Sequence, residues 1–417
     1  MSRVPYDRAA ELTETLETRL VDALRGDVDR RSVLGGLGVA GAAALGAGGR
    51  AAAHPGATDH HGDSTHGKFG AVDEYASDRF DPHEFLRDFE TGEVVGTDDD
   101  GRRIREFELD ARDVPIEIAP GVSFSAWAYN GQVPGPTLRA VEGELVRVTF
   151  TNRGRHAHTI HPHLRNLNPR MDGIPQNGPG VLDTDESFTY EWIAQPAGVH
   201  LYHCHSLPLK EHVHRGLYGA VVIDPDPERV REQPAEYVNQ HPSQITSELT
   251  DYLVEEAKTR NHTYDENDGV DELVLVMNSF DTNFDGGNEV YAANTRAFAY
   301  GVGSTDGYGN WEAGETKHPI VIDRNERQRI YLVNVTEFDL INSFHTHSQF
   351  FDYYDHGTTL LPTSYKVDTV MQCQAQRGII ELDYSEHEPG LYMFHAHQSE
   401  FAELGWMSFF DVTDGGR

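Results

Sequence analysis

The sequence predicts an all-β protein, two β-sandwich domains behind an acidic N-terminal extension. Three observations predict it. From about residue 102 onward, short β-branched and aromatic runs alternate with Gly, Pro and Asn turns, the pattern of a sandwich of antiparallel strands. This texture occurs twice, on either side of a Glu-, Gln- and Asn-rich stretch. Both halves also carry the same order of motifs, a degenerate internal repeat. In each, a long strand ends in Asn (146–152; 330–334), and a His-rich segment and a Pro-Ala-Gly or Pro-Gly turn follow. An aromatic-His-X-His strand closes the unit (202–205; 394–397).

The first-half strands are expected over 122–129, 145–151, 187–192 and 220–223. Those of the second half are expected over 273–277, 319–322, 329–333, 378–382 and 408–412. A helical period over 245–258 places one helix in the intervening linker. The expected organisation is an export signal (1–53), an acidic His-containing segment (54–101), a first domain (102–226), a linker (227–269) and a second domain (270–413).

Composition narrows the function. The chain has 68 acidic residues against 34 Lys plus Arg, a net charge of −34. Phosphate binding needs a basic face, so nucleic acid is excluded as a partner. With 38% hydrophobic residues, 18 Tyr and 19 Phe, the chain has the material for cores, so the charge marks a hydrated surface of the kind salt-loving organisms use. Near the N-terminus, Arg30-Arg31-Ser32-Val33-Leu34 precedes a Gly- and Ala-rich apolar run, and Ala51-Ala52-Ala53 offers a cleavage site. The paired arginines point to twin-arginine export. The run is shorter than the ~20 apolar residues of a spanning helix. His54, His60, His61 and His66 fall in a polar tract expected to be a solvated tail.

The chemistry lies in four His-X-His pairs: His161 with His163, His203 with His205, His345 with His347, and His395 with His397. Residues two apart on a strand point to one face, so each pair aims two imidazoles in one direction. Imidazole suits several metals, and Cys204, between His203 and His205, selects copper. A copper-thiolate site wants two histidines, a thiolate and a weak axial ligand. His158 supplies one imidazole, Cys204 the thiolate, and the segment His212-Val213-His214 the second imidazole, with His212 preferred. Leu217 falls at the axial position and cannot coordinate, which favours the cuprous ion and raises the potential. Cys204 thereby links this site to a second one built by its neighbours. Cys373 is left without a partner and is expected to be a small buried residue. The repeat sets Asn342 opposite His158, Ala396 opposite Cys204, Phe401 near His212 and Trp406 near Leu217, so the mononuclear site exists only in the first half.

At these residues the chain resembles the multicopper oxidases, in particular their two-domain laccase-like members, over about residues 102–412. Asn130-Gly131-Gln132-Val133-Pro134-Gly135-Pro136-Thr137 is similar to a first-domain strand of that family. His161-Pro162-His163 followed by Met171-Asp172-Gly173 is similar to its His-X-His-Gly…Asp-Gly segment, with Leu164 in place of the Gly. The resemblance implies cupredoxin-like (Greek-key) sandwiches and about four coppers per chain. It implies His161 and His345 on a type 2 copper, and His163, His203, His205, His347, His395 and His397 on a binuclear type 3 pair. It implies Asp172 as the acid assisting proton delivery, dioxygen as acceptor, and a small reducing substrate, phenolic or a low-valent metal ion. Electrons are expected to enter at His158 or His212, as the ligands nearest the surface, and the implied assembly is a homotrimer. The spacing also resembles copper nitrite reductases, but these carry Asp where His161 stands. A copper-storage role is the reading outside enzymes, and the Cys204 link argues against it.

Overall fold

The computed structural model describes residues 80–119, 121–301 and 318–415. The export signal and the histidines from His54 to His66 lie outside the described residues.

Alternation builds the strands. Along Leu145–Asn152, Val146, Val148, Phe150 and Asn152 are buried while the intervening side chains face outward, the period of two that a half-buried strand demands. One first-half sheet runs Phe89–Glu90, Gly135–Val141, Tyr218–Asp224, Gly198–His203 and His161–Pro162 in order. The other runs Glu93–Thr97, Arg103–Ala119, Leu145–Asn152 and Ser187–Ile193, with Val122–Tyr129 paired to Arg103–Ala119. In the second half, the strands Val290–Ala293, Val270–Phe280, Arg327–Asn334, Arg377–Leu382, Phe351–Asp355 and Ser364–Val367 form one sheet. Ile320–Asp323, Met407–Thr413, Gly390–His395, Asn342–Thr346 and Thr369–Gln372 form the other. Two cupredoxin-like sandwiches result. The pairing is not antiparallel throughout. Arg103–Ala119 with Leu145–Asn152, and Val270–Phe280 with Arg327–Asn334, run parallel. Greek-key returns bring non-consecutive strands together in the same direction.

One expectation is corrected. The acidic segment is not a free tail from residue 80 on. Phe85 and Leu86 are buried in the hydrophobic core that the two domains share, Phe89–Glu90 adds a strand to the first, and Arg87 bonds Asp271 at 2.8 Å. The apolar residues Phe80, Phe85 and Phe89, spaced through an otherwise polar stretch, pay for this ordering. The linker carries the helix expected over 245–258, as Ser247–Thr259, and packs against both neighbours. Its helix Ser247–Thr259 and helix Pro227–Glu232 bury Val230, Tyr237, Leu253, Val254 and Ala257 against Ala197 and Leu360.

The halves join through Gly198–His203. Gly198 has φ +130°, and a Cβ there would stand 2.7 Å from the His356 carbonyl oxygen, so only glycine permits this approach. Beside it, buried Arg139 binds Asp224 at 3.0 Å and Glu272 at 2.7 Å, tying the two domains. Removing one partner of such a pair typically costs about 3–5 kcal/mol.

Candidate metal centres

Cys204 follows the strand Gly198–His203, His158 lies in the loop bridged to Leu182, and His212 lies on the helix Leu209–His214. All three are buried. The Nδ1 atoms of His158 and His212 are 3.2 Å apart, and Cys204 Sγ lies 3.9 Å from the first and 3.3 Å from the second. A point equidistant from the three lies about 2.0 Å from each, close to the ~2.0–2.3 Å of metal–nitrogen and metal–thiolate bonds. The loop is held by Asn152, whose amide donates to Leu182 O at 2.8 Å, while His158 and Leu182 exchange two main-chain bonds.

The donor set fits a metal ion. Burial presses His158 down to about 3, with His212 and His156 adding to the effect, and burial presses His212 down to about 4. Both rings are therefore neutral, as a metal requires. Burial also raises the Cys204 thiol. A thiolate here needs a cation beside it, which neutral imidazoles do not supply. Two imidazoles with a thiolate suit copper. Leu217, fully buried, is bonded into the same unit: its N–H donates to His212 O at 3.3 Å and its carbonyl accepts from Cys204 N–H at 3.0 Å.

The His-X-His pairs form two matching groups. In the first, His161 and His203 stand directly opposite on paired strands, and His163 Nε2 lies 3.1 Å from His203 Nε2. His205 packs its ring 5.3 Å from that of His161. In the second, His345 opposes His395, His347 Nε2 lies 3.0 Å from His395 Nε2, and the His397 ring is 4.9 Å from His345. Each group orients its rings in the same way. The Nδ1–H of His161 donates to Asp172 O at 2.7 Å, and that of His345 to Asp368 O at 2.8 Å. The Nδ1–H of His203 donates to Cys204 O at 2.8 Å, and that of His395 to Ala396 O at 2.6 Å. These bonds fix the tautomer and leave Nε2 free for a metal. Burial, helped by His203 and His161, presses His163 down to about 2, and burial holds His203 and His395 at about 4.

Asp172 is where the motif predicts it. Its Oδ1 is 3.3 Å from His161 Nδ1. Gly173 makes this possible: at φ +71° it lies on the Ile160 carbonyl, where a Cβ would stand 1.7 Å from the oxygen. Asp368 holds the equivalent place beside His345, with Oδ2 at 4.0 Å, and sequence reasoning missed it. No Asp-Gly motif marks it, and only the pairing of His345 with Thr369 brings it there. Two further expectations are corrected. His158 and His212 are 0% and 3% exposed, so neither ring presents itself to a donor. Cys373 is exposed, because it opens the turn after Thr369–Gln372 instead of pointing into a sandwich. Asp281, Asp285 and Glu289 also converge, but Asp281 and Glu289 already accept from Gly286 N–H, Thr282 N–H and the Asn283 amide.

Residues 110–228 and 285–416 match two family models, both described as multicopper oxidase. A solved multicopper oxidase is 40% identical over 82% of this chain and 100% of that one, with TM-score 0.64. Copper resistance protein A of Pseudomonas syringae pv. tomato is 35% identical over 34% of this chain, and L-ascorbate oxidase of Cucumis sativus 38% identical over 26%. The chain spans 22% and 18% of the length of those two relatives. A copper nitrite reductase from Nitrosomonas europaea shares the fold, at 20% identity over 75% of this chain and 95% of that one, with TM-score 0.56. The chain belongs to the multicopper oxidase family, whose members bind copper.

Proposed function

We propose that the protein is a laccase-like oxidase that couples one-electron oxidation of a small reducing substrate to the four-electron reduction of dioxygen to water. One observation carries the reading. The second half keeps His345, His347, His395 and His397 in the bonding pattern of the first half, although Ala396 replaces the thiolate. Four oriented histidines without a mononuclear site of their own have a use if they complete a cluster with the first group. His158, Cys204 and His212 would then hold a type 1 copper, with Leu217, which offers no donor atom, packed beside them. His161 and His345 would hold a type 2 copper, and His163, His203, His205, His347, His395 and His397 a type 3 pair, about four ions per chain.

Bound copper supplies one-electron steps and stabilises charge on reduced oxygen. This chain's residues do the rest. Cys204 joins the two sites twice over, through its main chain to His203 and His205 and through its carbonyl to the His203 Nδ1–H. Asp172, with its carboxylate beside His161, is placed to pass the protons that reduced oxygen takes up.

Exposed apolar side chains support assembly. Leu340 (91% exposed), Phe350 (59%) and Met371 (62%) flank His345 and His347 in the chain or on the paired strand. Such a surface beside half a metal site fits a neighbour's first half. Head-to-tail contacts of this kind close into a ring, and a homotrimer is the proposed state. Export by the twin-arginine route and a salt-rich habitat complete the proposal, resting on Arg30-Arg31 and the charge of −34.

Copper counting by mass spectrometry tests the reading. About four per chain supports the oxidase, whereas about two sinks it and leaves a nitrite reductase. Oxygen uptake against phenolic, cuprous, ferrous and manganous donors then separates catalysis from storage. Light scattering that returns an active monomer would refute the ring.

A further inference from the structure

The two imidazoles of the mononuclear site are covered by aromatic surface. The Trp127 ring lies 4.7 Å from His212 and 5.5 Å from His158, and is itself only 5% exposed. Against Trp127, at 4.4 Å and tilted by 36°, packs the ring of His156, an exposed residue. Leu207, 73% exposed, lies two residues before the helix that carries His212, with its carbonyl interacting with the His212 ring.

Trp127 is held in this position from two sides. Its main-chain N–H donates to Arg215 O at 3.0 Å, so the strand Val122–Tyr129 and the turn after the His212 helix form one unit. The Arg215 guanidinium lies 4.9 Å from the indole centre and is anchored by Glu211 Oε1 at 3.0 Å and Ser125 O at 2.9 Å.

Resting on the oxidase reading, the geometry points to Trp127 as the residue through which electrons reach the mononuclear site, from a hydroxylated aromatic donor stacked on His156 beside Leu207. The His156 ring reaches the ligand ring of His158 directly at 6.5 Å, whereas Trp127 stands closer to both sides, 4.4 Å from His156 and 4.7 Å from His212. An aromatic donor gains from offset stacking on such a face. A metal-ion donor would need more than the one imidazole of His156, and the nearby carboxylates already have partners: Glu211 pairs with Arg215, and Asp113 accepts from the main-chain N–H of Arg155.

One donor O–H bond breaks, its proton goes to solvent water, and one electron passes through Trp127 and His212 to the cupric ion of the site. An aryloxyl radical leaves, and dioxygen is the terminal oxidant of the parent reaction. The Arg215 charge disfavours a positive indole, so the electron crosses Trp127 without a resting tryptophan radical.

The test uses copper-loaded protein with Trp127→Leu, Trp127→Phe and His156→Ala. All are expected to keep wild-type copper content, blue absorption and reduction potential. Under argon, Trp127→Leu is expected to slow bleaching of the blue band by 2,6-dimethoxyphenol about tenfold or more. Bleaching by hexacyanoferrate(II), which needs no stacking, is expected to change less than about twofold. His156→Ala is expected to raise KM for the phenol about fivefold, the scale of one aromatic contact, and to lower kcat less. Apart from turnover, 4-nitrophenol added to the reduced protein is expected to quench tryptophan fluorescence saturably in wild type, with that component absent in Trp127→Leu. Equal slowing for both reductants, no slowing, or undiminished quenching overturns the assignment. Should Trp127→Leu lose its copper, Trp127→Phe and His156→Ala decide the matter by the same readouts. Absence of a blue band from the wild type overturns the oxidase reading itself.

Discussion

The main-chain N–H of Cys204 donates to the carbonyl of Leu217 at 3.0 Å. The second half repeats this bond from Ala396 to Trp406 at 3.2 Å, and Trp406 N–H reaches Phe401 O as Leu217 N–H reaches His212 O. His397 N–H donates to Ser343 Oγ as His205 N–H donates to Thr159 Oγ1. The frame of the mononuclear site thus survives in both halves, and its chemistry in one.

That frame makes Leu217 a point of control. Leu217→Met is expected to lower the reduction potential, because a thioether donor favours the cupric ion over an empty axial position. A tenfold shift in the redox equilibrium would read as about 59 mV. Potentiometric titration of the blue band measures it, and an unchanged or higher potential removes Leu217 from the axial role.

Cys204→Ser is expected to abolish the blue band and donor oxidation together, and to lower the copper count by about one per chain. The histidine groups depend on Cys204 only through its carbonyl, which serine retains. Loss of all the copper would show that the two sites do not assemble separately.

Gly173→Ala is expected to destabilise the protein by about 2 kcal/mol or more and to weaken the type 2 signal in electron paramagnetic resonance, leaving the blue band. A Cβ would collide with Ile160 O and push Asp172 away from His161. A wild-type melting temperature with a normal type 2 signal would mean that the loop relaxes freely.

The copper-free protein is expected to lose stability as pH falls from about 6.5 toward about 3. Burial holds His200 at about 3, and holds His163 and His203 at about 2 and about 4. Their folded pKa values lie below the unfolded value, so across this window the unfolded chain binds protons that the folded chain does not. Stability therefore rises with pH, by up to about 1.4 kcal/mol per unit for each such histidine. Chemical denaturation at several pH values checks the slope, and His200→Gln should make it shallower. A flat profile would mean that these rings take up protons without unfolding.

Much of the site was legible in the sequence because it is local. The pairs from His161 to His397 read directly from the period of two, and the repeat foretold that Asn342, Ala396, Phe401 and Trp406 replace the mononuclear set. Strand positions were legible for the same reason. The run expected over 122–129 is the strand Val122–Tyr129, and that over 378–382 lies within Arg377–Leu382. Residues 80–101 misled because their polar composition hid three anchoring phenylalanines, and a two-residue strand such as Phe89–Glu90 leaves no period to detect.

The sequence by itself determined the donor types and their grouping, since ligand chemistry and strand alternation are properties of neighbouring residues. Only the tertiary structure decided what surrounds them. Asp368 reaches His345 through a strand pairing, Trp127 covers His212 from a strand 85 residues away in the chain, and Arg139 joins domains through Glu272, 133 residues on. Such contacts follow from how sheets pack and how loops return, and chain closure over those lengths depends on the whole fold rather than on any local pattern.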